Sequence, residues 1–118
     1  MAGAGSEFSA HPARVLGVAG RVFALLASYA NDYSRGTSSR LVELDASTGG
    51  IVSTLVFDGL RGCDALAVSP DQAELAVACT GDDLRDSAPN IDHSGLVVVD
   101  ISSVPIATRT FAASTWGD

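Results

Sequence analysis

The chain has 118 residues with a formal net charge of −7, 47% hydrophobic residues, two Cys, and seven basic residues that are all Arg. A chain of this size buries enough surface for one core and not two, which excludes an open multi-domain enzyme, and its apolar share excludes disorder. No apolar run is long enough to span a bilayer as a helix, and the acidic balance argues against nucleic acid and anionic membrane surfaces as partners.

In chain order, residues 1–10 read as a tag or disordered N-terminus; Gly5-Ser6-Glu7-Phe8 is what two adjacent cloning sites encode in frame. Residues 11–60 then read as a first repeat, 61–113 as a second and 114–118 as a tail. Val15-Leu16-Gly17-Val18 recurs fifty positions on as Ala65-Leu66-Ala67-Val68, and Phe23-Ala24-Leu25-Leu26-Ala27 recurs fifty-two on as Leu75-Ala76-Val77-Ala78-Cys79. Leu41-Val42-Glu43-Leu44-Asp45 recurs fifty-five on as Leu96-Val97-Val98-Val99-Asp100, and Ile51-Val52-Ser53-Thr54 matches Ile106-Ala107-Thr108-Arg109 at the same offset. Order is kept while the offset grows only between segments, as for two copies of one unit with longer connections in the second.

Each matched segment is a short apolar run bounded by turn formers, which predicts strands. Val22 to Ala30 has the composition of a signal-peptide apolar region, but its match to Leu75-Ala76-Val77, beyond the Ser69-Pro70-Asp71 turn, favours a strand. Pro70 presets φ for that turn and Asp71 accepts local backbone hydrogen bonds. Asp45 and Asp100 open corresponding corners and are expected to make Asx turns.

Four antiparallel strands per unit of about fifty residues is the pattern of a β-propeller blade. Leu66-Ala67-Val68-Ser69-Pro70-Asp71 followed by Glu74-Leu75-Ala76-Val77-Ala78 resembles the inner hairpin of YVTN and lactonase-like propeller repeats, and Leu96 to Asp100 resembles their third strand. The resemblance covers Val15 to Ala113, well in the second unit and loosely in the first. Ala19-Gly20-Arg21 replaces the Ser-Pro-Asp turn there, and Gln72-Ala73 departs from the usual Gly-Lys-type pair. It implies an all-β fold of two four-stranded antiparallel propeller-type blades, a partial propeller; a small β-sandwich of the same eight strands is the alternative.

Long polar loops fall at one predicted end of such blades and place Asp32, Arg35, Asp58, Arg61, Asp82, Asp83, Arg85, Asp86, Asp92 and His93 together. Loops on a rigid scaffold are where binding residues concentrate, so this acidic face is the candidate site for a protein or small ligand; a solvated rim is the plainer reading. Asp82, Asp83, Asp86, Asn90 and Asp92 offer oxygens suited to Ca²⁺, without the alternation of an EF-hand. Zinc lacks paired Cys or His ligands, and no other cofactor is implied. No G-x-S-x-G elbow supplies a nucleophile. The function expected is therefore a non-catalytic binding scaffold. The alternative is a fragment of a hydrolytic, lactonase-like propeller whose metal or acid–base site is shared among blades.

Two units leave open sheet edges, so the remaining blades of a longer product, or identical copies, are expected partners through those edges. If the Ser69-Pro70-Asp71 hairpin is centred near Asp71, Cys63 lies opposite Cys79 at disulfide distance. Such a bond implies an extracytoplasmic protein, periplasmic, secreted or cell-surface.

Overall fold

A computed structural model describes residues 8–30, 36–81 and 90–116. The chain is all-β. Strands β1 (Phe8–Val18), β2 (Arg21–Ala30), β3 (Gly36–Leu44) and β4 (Ile51–Val56) form one four-stranded sheet. Strands β5 (Cys63–Val68), β6 (Glu74–Thr80), β7 (Ser94–Asp100) and β8 (Ile106–Ala112) form the second. Each sheet is an antiparallel meander in sequence order, and short 3₁₀ turns at Asn90–His93 and Ala113–Trp116 flank β7 and β8.

The corners follow from their residues. β1 and β2 are joined by Ala19-Gly20 alone, both at positive φ (51° and 76°), the geometry of a two-residue hairpin whose twist matches its strands. The β5–β6 corner is longer. The Gln72 N–H donates to the Ser69 carbonyl (2.9 Å) and the Ala73 N–H to Asp71 Oδ1 (3.0 Å). Gln72 takes φ 60°, where glycine would be free of strain. A non-glycine residue there costs about 1 kcal/mol. Gln72→Gly is therefore expected to raise stability by roughly half that once the added freedom of the unfolded chain is subtracted; an unchanged urea midpoint would mean the turn holds no strain.

Gln72 also moves the hairpin register. Leu66 pairs with Val77 and Val68 with Leu75, one residue further along than a hairpin centred on Asp71 allows. A bulge between Cys63 and Ala65 then takes up Asp64 and restores the Cys63–Cys79 pairing, and the two residues form a disulfide. The expected pair is present through two compensating irregularities.

The bulges also correct the internal alignment. β1 is bulged between Pro12 and Arg14 as β5 is between Cys63 and Ala65. The β3–β4 ladder breaks between Glu43 and Leu44 as the β7–β8 ladder breaks between Val98 and Val99. Asp45 and Asp100 make the same turn, each Oδ1 accepting from the main-chain N–H (2.8 Å) and the hydroxyl (2.7 Å) two residues on, in Ser47 and Ser102. Together these anchors make Leu41 the counterpart of Leu96, as the sequence match has it, but Val22 and not Phe23 the counterpart of Leu75. In β1, β2 and β4 the structural equivalence lies one residue from the sequence match, and a one-residue slip exchanges the faces of a strand.

The consequence is in the packing. Phe23, Leu25 and Leu41 of the first sheet and Leu75, Val77, Val97 and Val99 of the second belong to one buried cluster, with Leu16, Leu55 and Leu66 against it and Phe57 and Leu60 of the intervening segment within it. The counterparts of Phe23, Leu25 and Leu41 are Ala76, Ala78 and Leu96, which lie on the outer face of the second sheet; those of Leu75, Val97 and Val99 are Val22, Val42 and Leu44, on the outer face of the first. The front of one unit therefore rests on the back of the next. The two sheets remain open and do not close a barrel or ring.

Candidate functional site

The segment between β4 and β5 crosses one end of both sheets and is tied down by main-chain bonds. Phe57 N–H donates to the Ser39 carbonyl and Ser39 N–H to the Leu60 carbonyl, both at 2.9 Å. Fully buried Ser39 also accepts the Cys63 N–H on its hydroxyl (3.1 Å). On the other side Arg61 N–H donates to the His93 carbonyl and Gly81 N–H to the Arg61 carbonyl, both at 3.0 Å. The His93 ring meets the Gly59 carbonyl through Nδ1 at 2.9 Å; a carbonyl only accepts, so Nδ1 carries the hydrogen.

This arrangement brings Arg61 and His93 together, with Asp58 and Asp92 beside them in the chain; both carboxylate residues are exposed. Asn90 and Asp92 lie in the 3₁₀ turn leading into β7. Asp32, Arg35, Asp82, Asp83, Arg85 and Asp86 lie outside the described residues, and with them most of the Ca²⁺ set. Among the described residues no three His, Cys, Asp or Glu side chains stand close enough to hold a metal ion. The His93 ring is oriented by a peptide carbonyl, so its observed bond stitches two loops together. Ser39, which joins three main-chain segments, gave no sequence signal beyond being a small polar residue in a strand.

The opposite end holds a group that sequence reasoning missed. Arg21 forms a two-pronged ion pair with Glu43, Nε to Oε2 and Nη2 to Oε1, both at 2.9 Å. It also donates across to the second sheet, to the Ser103 carbonyl at 2.9 Å and to that of Ile101. Its guanidinium lies 5.0 Å from the centre of the Phe23 ring, within cation–π range. The hydrogen bond from Arg21 holds the Glu43 carboxyl below the usual carboxylate range, against opposing desolvation, and Glu43 raises Arg21 in turn. Gly20, Arg21, Glu43, Asp45, Ser47 and Val52 line an open depression there. The available signal was Glu43 itself, an acid inside the apolar run Leu41 to Leu44.

Asp45, Asp71 and Asp100 at this end are all held below the ordinary range, first by the hydroxyls of Ser47, Ser69 and Ser102 and then by main-chain N–H donors. These carboxylates build corners, as expected for Asp45 and Asp100. No family model matches the chain, and no curated protein or solved structure matches it.

Proposed function

We propose that the chain is a non-catalytic repeat module of the propeller type, two blades long, which presents its loop-bearing end around Asp58, Arg61, Asp92 and His93 as a binding surface for a protein or small ligand. The observation that carries this reading is the front-to-back packing of equivalent units. Blades related by rotation about a central axis stack in that sense, whereas the two sheets of a symmetric sandwich would bury equivalent faces against each other. Shared bulges and Asx corners add that the units repeat in backbone detail. The Cys63–Cys79 disulfide supports an extracytoplasmic setting, where such bonds persist.

The competing function is hydrolysis at a metal site shared with further blades. Thermal unfolding with and without Ca²⁺, Mn²⁺ or Zn²⁺ separates the two, because a cation bound to the folded state raises the melting temperature by mass action. The scaffold reading expects no shift with any of the three. A reproducible rise with one of them, abolished by Asp92→Asn, would turn the assignment towards the hydrolytic alternative.

A further inference from the structure

We propose that the outer face of the second sheet binds the outer face of the first sheet of another copy, so that the chain self-associates front to back. The inference rests on the repeat reading and goes beyond it by naming the surfaces, the occupant and the symmetry.

Both outer faces are largely apolar, with Arg40 between Leu26 and Val56 on the first and Arg109 opposite Val98 on the second. Val15 (66% exposed), Ile51 (60%) and Val56 (47%) stand out from the first sheet, with Val22, Leu26 and Leu44 half-buried between them. On the second sheet Leu96 (37%) and Phe111 (41%) rise from a floor that includes Ala67 and Ala76. Exposed apolar surface of this extent marks an interaction site more often than a bare wall.

What selects a second copy is the interface already inside the molecule. Leu96 and Phe111 occupy the repeat positions of Leu41 and Leu55, which pack into the core, and Val15, Val22 and Leu44 occupy those of Leu66, Leu75 and Val99, which do the same. Each outer face is thus the counterpart of a face that is already mated, and the mate each one fits is displayed on the outside of another copy.

One contact is not repeated. Glu74 stands where the first unit has Arg21, so the arginine clip that joins the sheets within the chain has no intermolecular equivalent. Association between copies is therefore weaker than the internal packing, reversible and dependent on concentration. A front-to-back interface leaves a free face at each end until the rotation closes, so it forms a ring, of two copies at the smallest, or propagates.

The test uses the full chain in sedimentation velocity, with Leu96→Glu and Val15→Glu placing a charge on one face each. Circular dichroism and melting temperature confirm that the variants fold. Wild type is expected to form dimers or larger species as concentration rises, and each variant alone to stay monomeric. An equimolar mixture is expected to give dimers and nothing larger, because each variant retains the face the other lacks. A wild type monomeric at every concentration, a dimer of either folded variant alone, or a mixture that does not associate would each overturn the proposal. A monomeric wild type would mean that a different protein or further chain covers these faces, and would leave the module reading to stand or fall on the metal series.

Discussion

Removing the Cys63–Cys79 bond is expected to lower the unfolding free energy by about 3 kcal/mol, the value for closing a loop of roughly fifteen residues in the unfolded chain; the two cysteines are separated by 16 residues. For a domain of this size that corresponds to a fall in melting temperature of roughly 10 °C. Both residues lie in the buried cluster, so reductant reaches the bond mainly through unfolded molecules. The appropriate comparison is urea unfolding of protein refolded with and without reductant, beside the Cys63→Ala/Cys79→Ala double variant. That variant is expected to lose somewhat more, because the missing sulfurs leave space in the core. Equal midpoints for all three would show that the bond contributes nothing and would remove the support it gives to an extracytoplasmic location.

Arg21→Ala is expected to cost about 2 kcal/mol. Breaking a buried ion pair by removing one partner costs about 3–5 kcal/mol; here Arg21 is 28% and Glu43 14% exposed, and water reduces the penalty. Glu43→Gln, which keeps a hydrogen-bonding oxygen, is expected to cost less, and a double-mutant cycle should give a coupling energy distinct from zero. The dependence on pH follows from the sign of the shift. Glu43 has its folded pKa depressed, so its contribution is complete above its unfolded value and is lost as pH falls through the folded one. Arg21 is raised and stays charged throughout. The stability gap between wild type and Arg21→Ala should therefore be flat across neutral and alkaline pH and shrink in acid. A gap unchanged into strong acid would mean that Arg21 acts through packing on Phe23 and the bonds to Ile101 and Ser103 alone.

Much of the architecture was legible in residue types. Apolar runs bounded by Gly, Pro, Asp and Ser gave eight strands in two sets of four, and Asp45 and Asp100 announced their corners. The faces were harder to read. Runs such as Leu75-Ala76-Val77-Ala78 align with Phe23-Ala24-Leu25-Leu26 almost as well after a slip of one residue, because alanine suits a buried or an exposed position. What settles the frame is a pair of bulges, and the extra residues, Ala13 and Asp64, have no property that marks them. The Arg21–Glu43 clip was hidden for a different reason: its acceptors, Ile101 and Ser103, lie some eighty residues away in sequence. At the loop end, the residue types place His93 on a candidate binding face, whereas its visible bond is to the Gly59 carbonyl, a contact that no sequence pattern indicates.

The recurrence of two irregularities at equivalent places in both sheets has an evolutionary consequence. If the units descend from one duplicated ancestor, many strand side chains have since changed identity, Pro12 against Cys63 and Phe23 against Ala76, while two of the ladder breaks have stayed fixed; the break between Leu26 and Ser28 is confined to the first sheet. Gain or loss of a residue within a paired strand would turn half of that strand inside out, so selection removes it; at a corner it merely lengthens a turn. Ala19-Gly20 against the four residues from Pro70 to Ala73 is one such tolerated change. Inherited length variation in this protein should therefore accumulate at its corners, and those are the positions where a peptide could be grafted at least risk to the fold.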